Sequence, residues 1–227
     1  RRLFYLGTRR YCPCCRSRLR CFLPFGGVPR PDAQCPICFA LERHRLIYRY
    51  MREQTDLFSP PTKKMLHVAP ESQLESLFRQ CPSIDYLSAD LYSPVAMVRM
   101  DITGIQYPDA TFDVIYCSHV LEHVPDDRRA MREFFRVLKP GRWAILQVPL
   151  TAEKTLEDPS ATTDADRLRL YGQIDHVRRY GPDYVERLTE AGFTVRVVSF
   201  AADMPAAEAQ RIGVTQCQPI FLCEKPA

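Results

Sequence analysis

The sequence has no apolar run long enough to cross a membrane, no internal repeat and no low-complexity tract. Its apolar stretches, such as the one through residues 144–148, are far shorter than the roughly 20 residues that a transmembrane helix needs. No basic segment followed by an apolar core and a cleavage site opens the chain, so no secretory signal is recognised. We therefore expect no membrane partner, and a cytoplasmic, reducing environment for the ten cysteines.

Acidic residues are scarce in the first part of the chain. Residues 1–52 contain 12 Lys or Arg against 2 acidic residues, whereas the remainder carries a net charge of −6. Such asymmetry indicates either an anionic partner such as RNA or a small module that has little hydrophobic core and therefore carries its long charged side chains on the surface. The composition favours the second interpretation and leaves the first open.

Four cysteines in the N-terminal part have the spacing of a zinc site. Cys12 and Cys15 form one Cys-x-x-Cys pair, Cys35 and Cys38 form a second, and 19 residues separate the pairs. Two such pairs can surround one tetrahedral Zn²⁺, and four protein ligands leave no open position, so the zinc is expected to be structural. Ordinary free cysteines are the alternative. We expect a small zinc module with a connecting helix over residues 1–52.

From residue 60 to residue 227 the pattern changes to short apolar strands that alternate with amphipathic helices. This alternation is typical of an α/β domain with a parallel sheet. A nearly continuous apolar segment, residues 112–117, predicts a strand that is buried on both faces. The other predicted strands are residues 65–68, 86–89, 98–100, 143–148, 194–200 and 220–224.

The most informative stretch, residues 100–149, reads MDITGIQYPDATFDVIYCSHVLEHVPDDRRAMREFFRVLKPGRWAILQVP. It resembles the middle of class I S-adenosylmethionine-dependent methyltransferases, in particular the type 11 family, with a strand ending in Asp, then FD, LEH and a segment like LKPGG. The resemblance implies a Rossmann-like fold with a mostly parallel seven-stranded sheet. With the cysteine pairs, the chain resembles a subgroup that carries an N-terminal zinc ribbon.

The resemblance also implies a cofactor site at the carboxyl ends of the strands, where ligands bind in open parallel sheets. Asp90 and the adjacent Leu91 follow the second strand, and Asp90 is expected to accept hydrogen bonds from the ribose hydroxyls. Asp101 follows the third strand and matches the residue that accepts from the adenine amino group, with Ile102 beside it. Turn formation is the alternative for both aspartates.

The first loop departs from the family pattern. Residues 66–72 read LHVAPES, without the glycines that usually let the backbone approach the cofactor, and His67 stands where an acid is usual. We expect Ala69, Pro70 and Glu71 to hold the cofactor, with Glu71 at the ammonium group of its methionine moiety. The alternative is a decayed site that binds without turnover.

Two histidines are candidate catalytic residues. Ser118 and His119 follow the fourth strand, and His119 is expected beside the methyl group, either as a base or only as a packing residue. His176 lies in a polar segment that resembles a substrate lid, and a solvated loop is its alternative. Glu122 and His123 are expected to be structural. The predicted substrate residues of the segment are Gln173, His176, Arg178 and Tyr180.

These observations predict transfer of a methyl group from S-adenosylmethionine to a small-molecule acceptor, such as a sugar, another metabolite or a natural-product intermediate. RNA is the alternative acceptor, because a basic zinc module with interleaved aromatic side chains can bind nucleic acid. A protein that binds the cofactor but has lost turnover is a third possibility. The residues behind the RNA alternative are Arg9, Arg10, Arg16, Arg18, Arg20, Tyr11 and Phe22.

Overall fold

The computed structural model describes residues 2–227, and the contacts within it divide the chain into two units. The division differs from the boundary expected between residues 52 and 60, because two later segments join the N-terminal unit. None of the helices in residues 2–227 combines the length and the apolar character that a membrane crossing requires. The N-terminal unit comprises the chain up to Thr62 together with Glu71–Ile84 and Val198–Pro219, and the sheet unit comprises Lys63–Pro70, Asp85–Val197 and Ile220–Ala227.

The N-terminal unit contains two small antiparallel hairpins, which the sequence did not predict. The first pairs β1 (Leu6–Cys12) with β2 (Ser17–Leu19), and the second pairs β3 (Leu23–Phe25) with β4 (Arg30–Gln34). Three helices accompany them: α1 (Glu42–Gln54), α2 (Ser72–Arg79) and α6 (Ala206–Ile212). The strands are too short for their apolar periodicity to stand out in the sequence.

A buried arginine organises the N-terminal unit. The Arg45 side chain is fully buried, and each of its five guanidinium N–H groups donates to a main-chain carbonyl oxygen. Its Cζ atom lies 3.8 Å from the centre of the Phe22 ring. The carbonyl acceptors belong to Asp32, Ala33, Ala40, Ile212 and Gly213, so one side chain links the second hairpin to the end of α6.

The sheet unit is built on seven strands in the order β10-β11-β9-β8-β5-β6-β7. Strands β5 and β8 pair in parallel, as do β8 with β9 and β6 with β7, whereas β11 is antiparallel to β9. The fold class predicted from the sequence, a mostly parallel seven-stranded Rossmann-like sheet, is therefore confirmed. The strands are β5 (Lys63–Val68), β6 (Ile84–Asp90), β7 (Val98–Arg99), β8 (Phe112–Ser118), β9 (Leu138–Gln147), β10 (Thr194–Val198) and β11 (Ile220–Glu224).

Strands β5 and β8 are neighbours near the centre of this sheet; β6 and β7 follow β5 on one side, and β9, β11 and β10 follow β8 on the other. The adjacent ends of β5 and β8 are therefore the topological switch point, where an open parallel sheet leaves a crevice. All seven residues of β8 are buried, as its apolar sequence predicted. The burial fixes the strand between neighbours on both sides and places its last residues at the crevice.

Three helices belong to the sheet unit: α3 (Asp127–Val137), α4 (Asp164–Tyr171) and α5 (Tyr184–Glu190). Asp126 caps α3 by accepting a hydrogen bond from the backbone N–H of Arg129 at 2.9 Å. The buried face of α3 includes Met131 and Phe134, as its apolar spacing indicated. Helix α4 has a strongly charged sequence and was not predicted.

A second buried arginine fixes the turn that follows β8. Arg178 is fully buried, and its guanidinium donates to the carbonyl oxygens of Leu121, Val124 and Pro125 and, from Nε and Nη2, to Glu157 Oε1. All five N–H groups thus have an acceptor, which offsets the cost of burying the charge. The segment that carries Arg178 is thereby tied to the carboxyl end of the sheet.

We expect Arg178→Lys to lower the free energy of unfolding by about 3 kcal/mol or more, because an ammonium group has three donors and leaves buried carbonyls unpaired. The matched control is Arg179→Lys, one residue along the chain, where the side chain is only partly buried. That change should cost less than about 0.5 kcal/mol. Urea unfolding of both variants measures the difference, and equal stabilities would contradict the role given to Arg178.

Candidate functional site

The backbone turns sharply at the adjacent ends of β5 and β8. Ala69 has φ +48° and His119 has φ +56°, so both residues adopt the left-handed conformation. Ala69 N–H donates to the carbonyl of Ala89 at 2.8 Å, and His119 N–H donates to that of Gln147 at 2.9 Å. These bonds hold the two turns at the switch point, where the chain leaves the sheet and a ligand can approach the backbone.

Ala69 explains how the first loop keeps its turn without glycine. The left-handed conformation costs an ordinary L-residue roughly 1–2 kcal/mol, and alanine is the smallest side chain that accepts this cost. His67, at the position where an acid is usual in the family, is fully buried, and its Nδ1 lies 2.9 Å from the Tyr86 hydroxyl. His67 is therefore a core residue of the sheet unit, whereas Ala69 and Pro70 form the turn.

Glu71 belongs to the N-terminal unit, where other side chains engage its carboxylate. Its Oε1 atom lies 2.8 Å from His44 Nε2 and accepts a hydrogen bond from Arg43 Nε at 3.2 Å. The residue also precedes α2 as its N-cap, without a side-chain capping bond. Any contact with an ammonium group would have to compete with these two partners.

Asp90 is the last residue of β6, and its carboxylate is partly committed to the following turn. Oδ1 accepts hydrogen bonds from the backbone N–H groups of Tyr92 and Ser93, both at 2.7 Å. These bonds orient the side chain, and Oδ2 makes neither of them. Leu91, beside it, is partly buried. Asp90 thus stabilises the turn through Oδ1 and, at the same time, presents an oriented Oδ2 atom at the end of the strand.

Asp101 follows β7 and has a similar arrangement. Its Oδ1 accepts hydrogen bonds from the backbone N–H and the hydroxyl of Thr103, both at 2.8 Å. The Thr103 backbone bond first, and then the hydroxyl bond, lower the pKa of Asp101 below its ordinary value. The group therefore stays an ionised acceptor near neutral pH, and the side chain of its neighbour Ile102 is buried.

The end of β8 carries the candidate catalytic residues. Ser118 is buried, while 37% of the His119 side chain is exposed, so its imidazole can reach a ligand. His119 Nδ1 lies 3.4 Å from Oε1 of Glu122, whose side chain is almost fully buried. A carboxylate beside an imidazole can orient the ring.

The structure separates the predicted substrate residues into two groups. Gln173 is exposed, and His176 is buried with its ring centre 4.6 Å from that of His123. Burial first, and then the charge of His123, lower the pKa of His176. Tyr180 is fully buried and donates to Asp127 Oδ2 at 2.6 Å, while Arg178 makes the internal contacts described above.

Sequence reasoning did not identify the grouping of Glu122, His123 and His176. Glu122 and His123 lie in a short 3-10 turn, Leu121–His123, directly after β8. His176 comes from the later segment, and the backbone N–H of Val177 donates to the carbonyl of Glu122 at 2.9 Å. Only the fold brings His176 close to Glu122 and His123, because more than 50 residues separate it from them in the sequence.

The four predicted cysteine ligands form one cluster in the N-terminal unit. The Sγ atoms of Cys12 and Cys38 are 3.6 Å apart, those of Cys15 and Cys35 are 3.8 Å apart, and all four lie within 4.8 Å of one another. Zn–S bonds of about 2.3 Å in a tetrahedron place the sulfurs about 3.8 Å apart. The cluster therefore fits a zinc ion, and Cys14 and Cys21 are not part of it.

Comparison with known proteins assigns the central part of the chain. Residues 63–146 match the protein family described as "Methyltransferase domain". The 27-O-demethylrifamycin SV methyltransferase of Amycolatopsis mediterranei (strain S699) is 34% identical over 108 residues, which are 46% of this chain and 37% of that protein. Phosphoethanolamine N-methyltransferase 1 of Arabidopsis thaliana is 37% identical over 95 residues, or 41% of this chain and 18% of that protein.

The match therefore spans less than two fifths of the length of either curated relative. Among solved structures, an S-adenosylmethionine-dependent methyltransferase from Mesorhizobium loti has a TM-score of 0.50 at 14% sequence identity. That alignment covers 78% of this chain and 96% of the other. At this level of identity the similarity establishes a shared fold.

We expect Ala69→Gly to change the free energy of unfolding by less than about 1 kcal/mol, because relief of the left-handed strain offsets the added chain entropy. Ala69→Val should lower it by about 2 kcal/mol or more, since a β-branched side chain is poorly tolerated at positive φ. Chemical unfolding of the pair distinguishes them. If valine were tolerated as well as glycine, the left-handed turn would not be required.

Proposed function

We propose that this chain is a class I S-adenosylmethionine-dependent methyltransferase and that it methylates a small-molecule acceptor. The observation that carries the proposal is the order of the strand ends. The ends of β5, β6, β7 and β8 present, in turn, the left-handed Ala69, the carboxylates of Asp90 and Asp101, and the left-handed His119. The carboxyl ends of strands in an open parallel sheet are where a nucleotide-derived cofactor binds, which supports a cofactor site at this edge.

In this proposal Asp90 accepts hydrogen bonds from the ribose hydroxyls through Oδ2, while its Oδ1 keeps the turn in place. Asp101 accepts from the adenine amino group in the same way, with Ile102 packing nearby. The backbone at Ala69 and Pro70 lines the methionine end, where Ser118 and His119 also lie. The cofactor, when bound, supplies an electrophilic methyl group on a sulfonium.

We assign His119 a position beside that methyl group. Its imidazole is accessible and backed by the Glu122 carboxylate, so it can accept a proton from an acceptor hydroxyl or amine. Gln173 and His176 are proposed to contact the acceptor from the other side of the crevice. Arg178 and Tyr180 are proposed to act through the scaffold, because their polar groups are used internally.

A small acceptor is favoured because the curated relatives named above carry names of small-molecule methyltransferases. The RNA alternative loses two of its seven candidate residues in the N-terminal unit. Arg10 is buried and paired with Asp32, and Phe22 is buried beneath Arg45, so neither is available to nucleic acid. If the protein does bind RNA, its affinity should fall steeply as the salt concentration rises, and this dependence tests the alternative.

We propose that the four-cysteine cluster holds one structural zinc ion, which links the knuckle after β1 to the one after β4. None of the ten cysteines in the described residues is part of a disulfide, which is consistent with a reducing compartment, and we propose a cytoplasmic location on that basis. The metal contributes to folding of the N-terminal unit, because two short hairpins bury too little apolar surface to be stable alone.

Cys12→Ser should reduce zinc from one equivalent per chain to well below one, and it should lower the thermal stability of the protein. Cys21→Ser is the matched control in the same unit and should retain full zinc. Metal analysis of the purified proteins, together with thermal unfolding, measures both effects. Full zinc retention in the Cys12 variant would contradict the assigned ligand set.

Calorimetric titration with S-adenosylmethionine tests the cofactor site. Asp90→Asn should weaken binding about 10- to 100-fold, the usual effect of losing hydrogen bonds to a charged group. Asp85→Asn, an exposed aspartate at the opposite end of the same strand, should leave the affinity unchanged. Absence of binding by the wild-type protein at millimolar ligand, or an equal loss in both variants, would refute the proposed site.

Methyl transfer itself is tested by release of S-adenosylhomocysteine in the presence of panels of hydroxylated and amine metabolites. Turnover with a small acceptor that His119→Gln slows, at unchanged cofactor affinity, supports the role of His119. Cofactor binding with no release across the panels, and release with RNA instead, would replace the small-molecule proposal by its alternative.

A further inference from the structure

Three side chains of the sheet unit converge on one point outside the cofactor residues. Glu122, His123 and His176 each offer a ligand atom, and these atoms all lie within 4.8 Å of one another. Glu122 and His176 are buried, and 34% of the His123 side chain is exposed. Two imidazoles and a carboxylate form a ligand set that binds divalent transition-metal ions in many proteins.

The Glu122 carboxylate points to a missing positive partner. Its Oε2 atom is buried and has no hydrogen-bond donor among residues 2–227, while its Oε1 lies 3.4 Å from His119 Nδ1. The residue is only 2% exposed. Burying a carboxylate oxygen without a hydrogen-bond partner or a positive charge is energetically unfavourable. A bound cation would supply the missing interaction.

Asp175 prepares His123 for metal binding. His123 Nδ1 lies 3.2 Å from the backbone oxygen of Asp175 and 3.3 Å from its Oδ2. An N–H donated from Nδ1 to these oxygens leaves the Nε2 lone pair free. Metal-binding histidines usually have such a carbonyl or carboxylate partner on the second nitrogen, which fixes the tautomer and the ring orientation.

Main-chain bonds hold the two ligand-bearing segments together. Val177 N–H donates to the Glu122 carbonyl, and the Arg178 guanidinium donates to the carbonyls that flank Glu122 and His123 in the turn. Both segments are thus fixed independently of any ion. A site on such a rigid support keeps its ligands close to the required geometry.

We infer that Glu122, His123 and His176 form a second metal site, distinct from the four cysteines, for a divalent first-row transition ion. Three protein ligands leave positions open on the ion. Resting on the proposed function, we assign these positions to an oxygen or nitrogen donor of the methyl acceptor, next to His119. The site thereby favours acceptors with a metal-binding hydroxyl, carboxylate or amine.

Cobalt binding to the zinc-containing protein tests this site without reference to activity. Protein that retains its cysteine-bound zinc after dialysis against a chelator is titrated with Co²⁺, and visible absorption is recorded. We expect one further equivalent of cobalt, without the charge-transfer absorption of a cobalt thiolate. Bound cobalt should also raise the melting temperature, since a ligand of the native state stabilises it.

Glu122→Gln and His176→Ala should each weaken cobalt binding about 100-fold or more. Each change removes a direct ligand, and even the loss of a residue that only hydrogen-bonds to a ligand usually weakens metal binding by about 10- to 100-fold. Glu186→Gln, an exposed glutamate of the same unit, is the matched control and should bind as wild type. Without cobalt, Glu122→Gln should be at least as stable as wild type, because a buried unpaired charge is removed. This variant therefore separates loss of a ligand from loss of the fold.

No additional cobalt equivalent, or an equivalent lost in cysteine variants but retained in Glu122→Gln and His176→Ala, would overturn the second site. S-adenosylmethionine affinity of the same preparations is measured in parallel. Cofactor binding without cobalt binding refutes the metal site alone, whereas cobalt binding without cofactor binding refutes the proposed methyl transfer and leaves the metal site standing.

Discussion

Each unit depends on one buried arginine whose five N–H groups are all satisfied. Arg45 and Arg178 are fully buried, and burying a guanidinium is tolerable only when every donor has an acceptor. Several of those acceptors are carbonyl oxygens that lie outside strands and helices, namely those of Ala40, Gly213, Val124 and Pro125. The arginines therefore determine where the chain can run between strands and helices, including the turn beside the candidate catalytic histidine.

The regular part of the fold was predictable from the sequence because its signals are local. The apolar residues of β8 and the spacing of the apolar residues on α3 indicate burial directly. The short hairpins of the N-terminal unit were not predicted, since strands of three to seven residues have little periodicity. Helix α4 was missed because its charged sequence resembles a solvated loop.

The candidate site also contains some residues that the sequence predicts and others that only the fold brings together. Asp90, Asp101 and the four cysteines follow from spacing and strand order, which are properties of the sequence. The burial of Arg178 and Tyr180 depends on contacts across some 50 residues, and no local pattern records them. The same holds for the Glu122, His123 and His176 cluster. The sequence indicated structural roles for Glu122 and His123 and a catalytic or substrate role for His176, and only the fold brings the three together.

The carbonyl acceptors of the two arginines have a consequence for how homologous sequences diverge. Main-chain oxygens are present whatever the side chain, so residues such as Leu121, Val124 and Ile212 can be replaced without removing the acceptor. Covariation methods, which detect compensating changes at paired positions, will record little signal for these contacts. Each arginine should then stand as an isolated invariant position in an alignment, although it holds several distant segments in place.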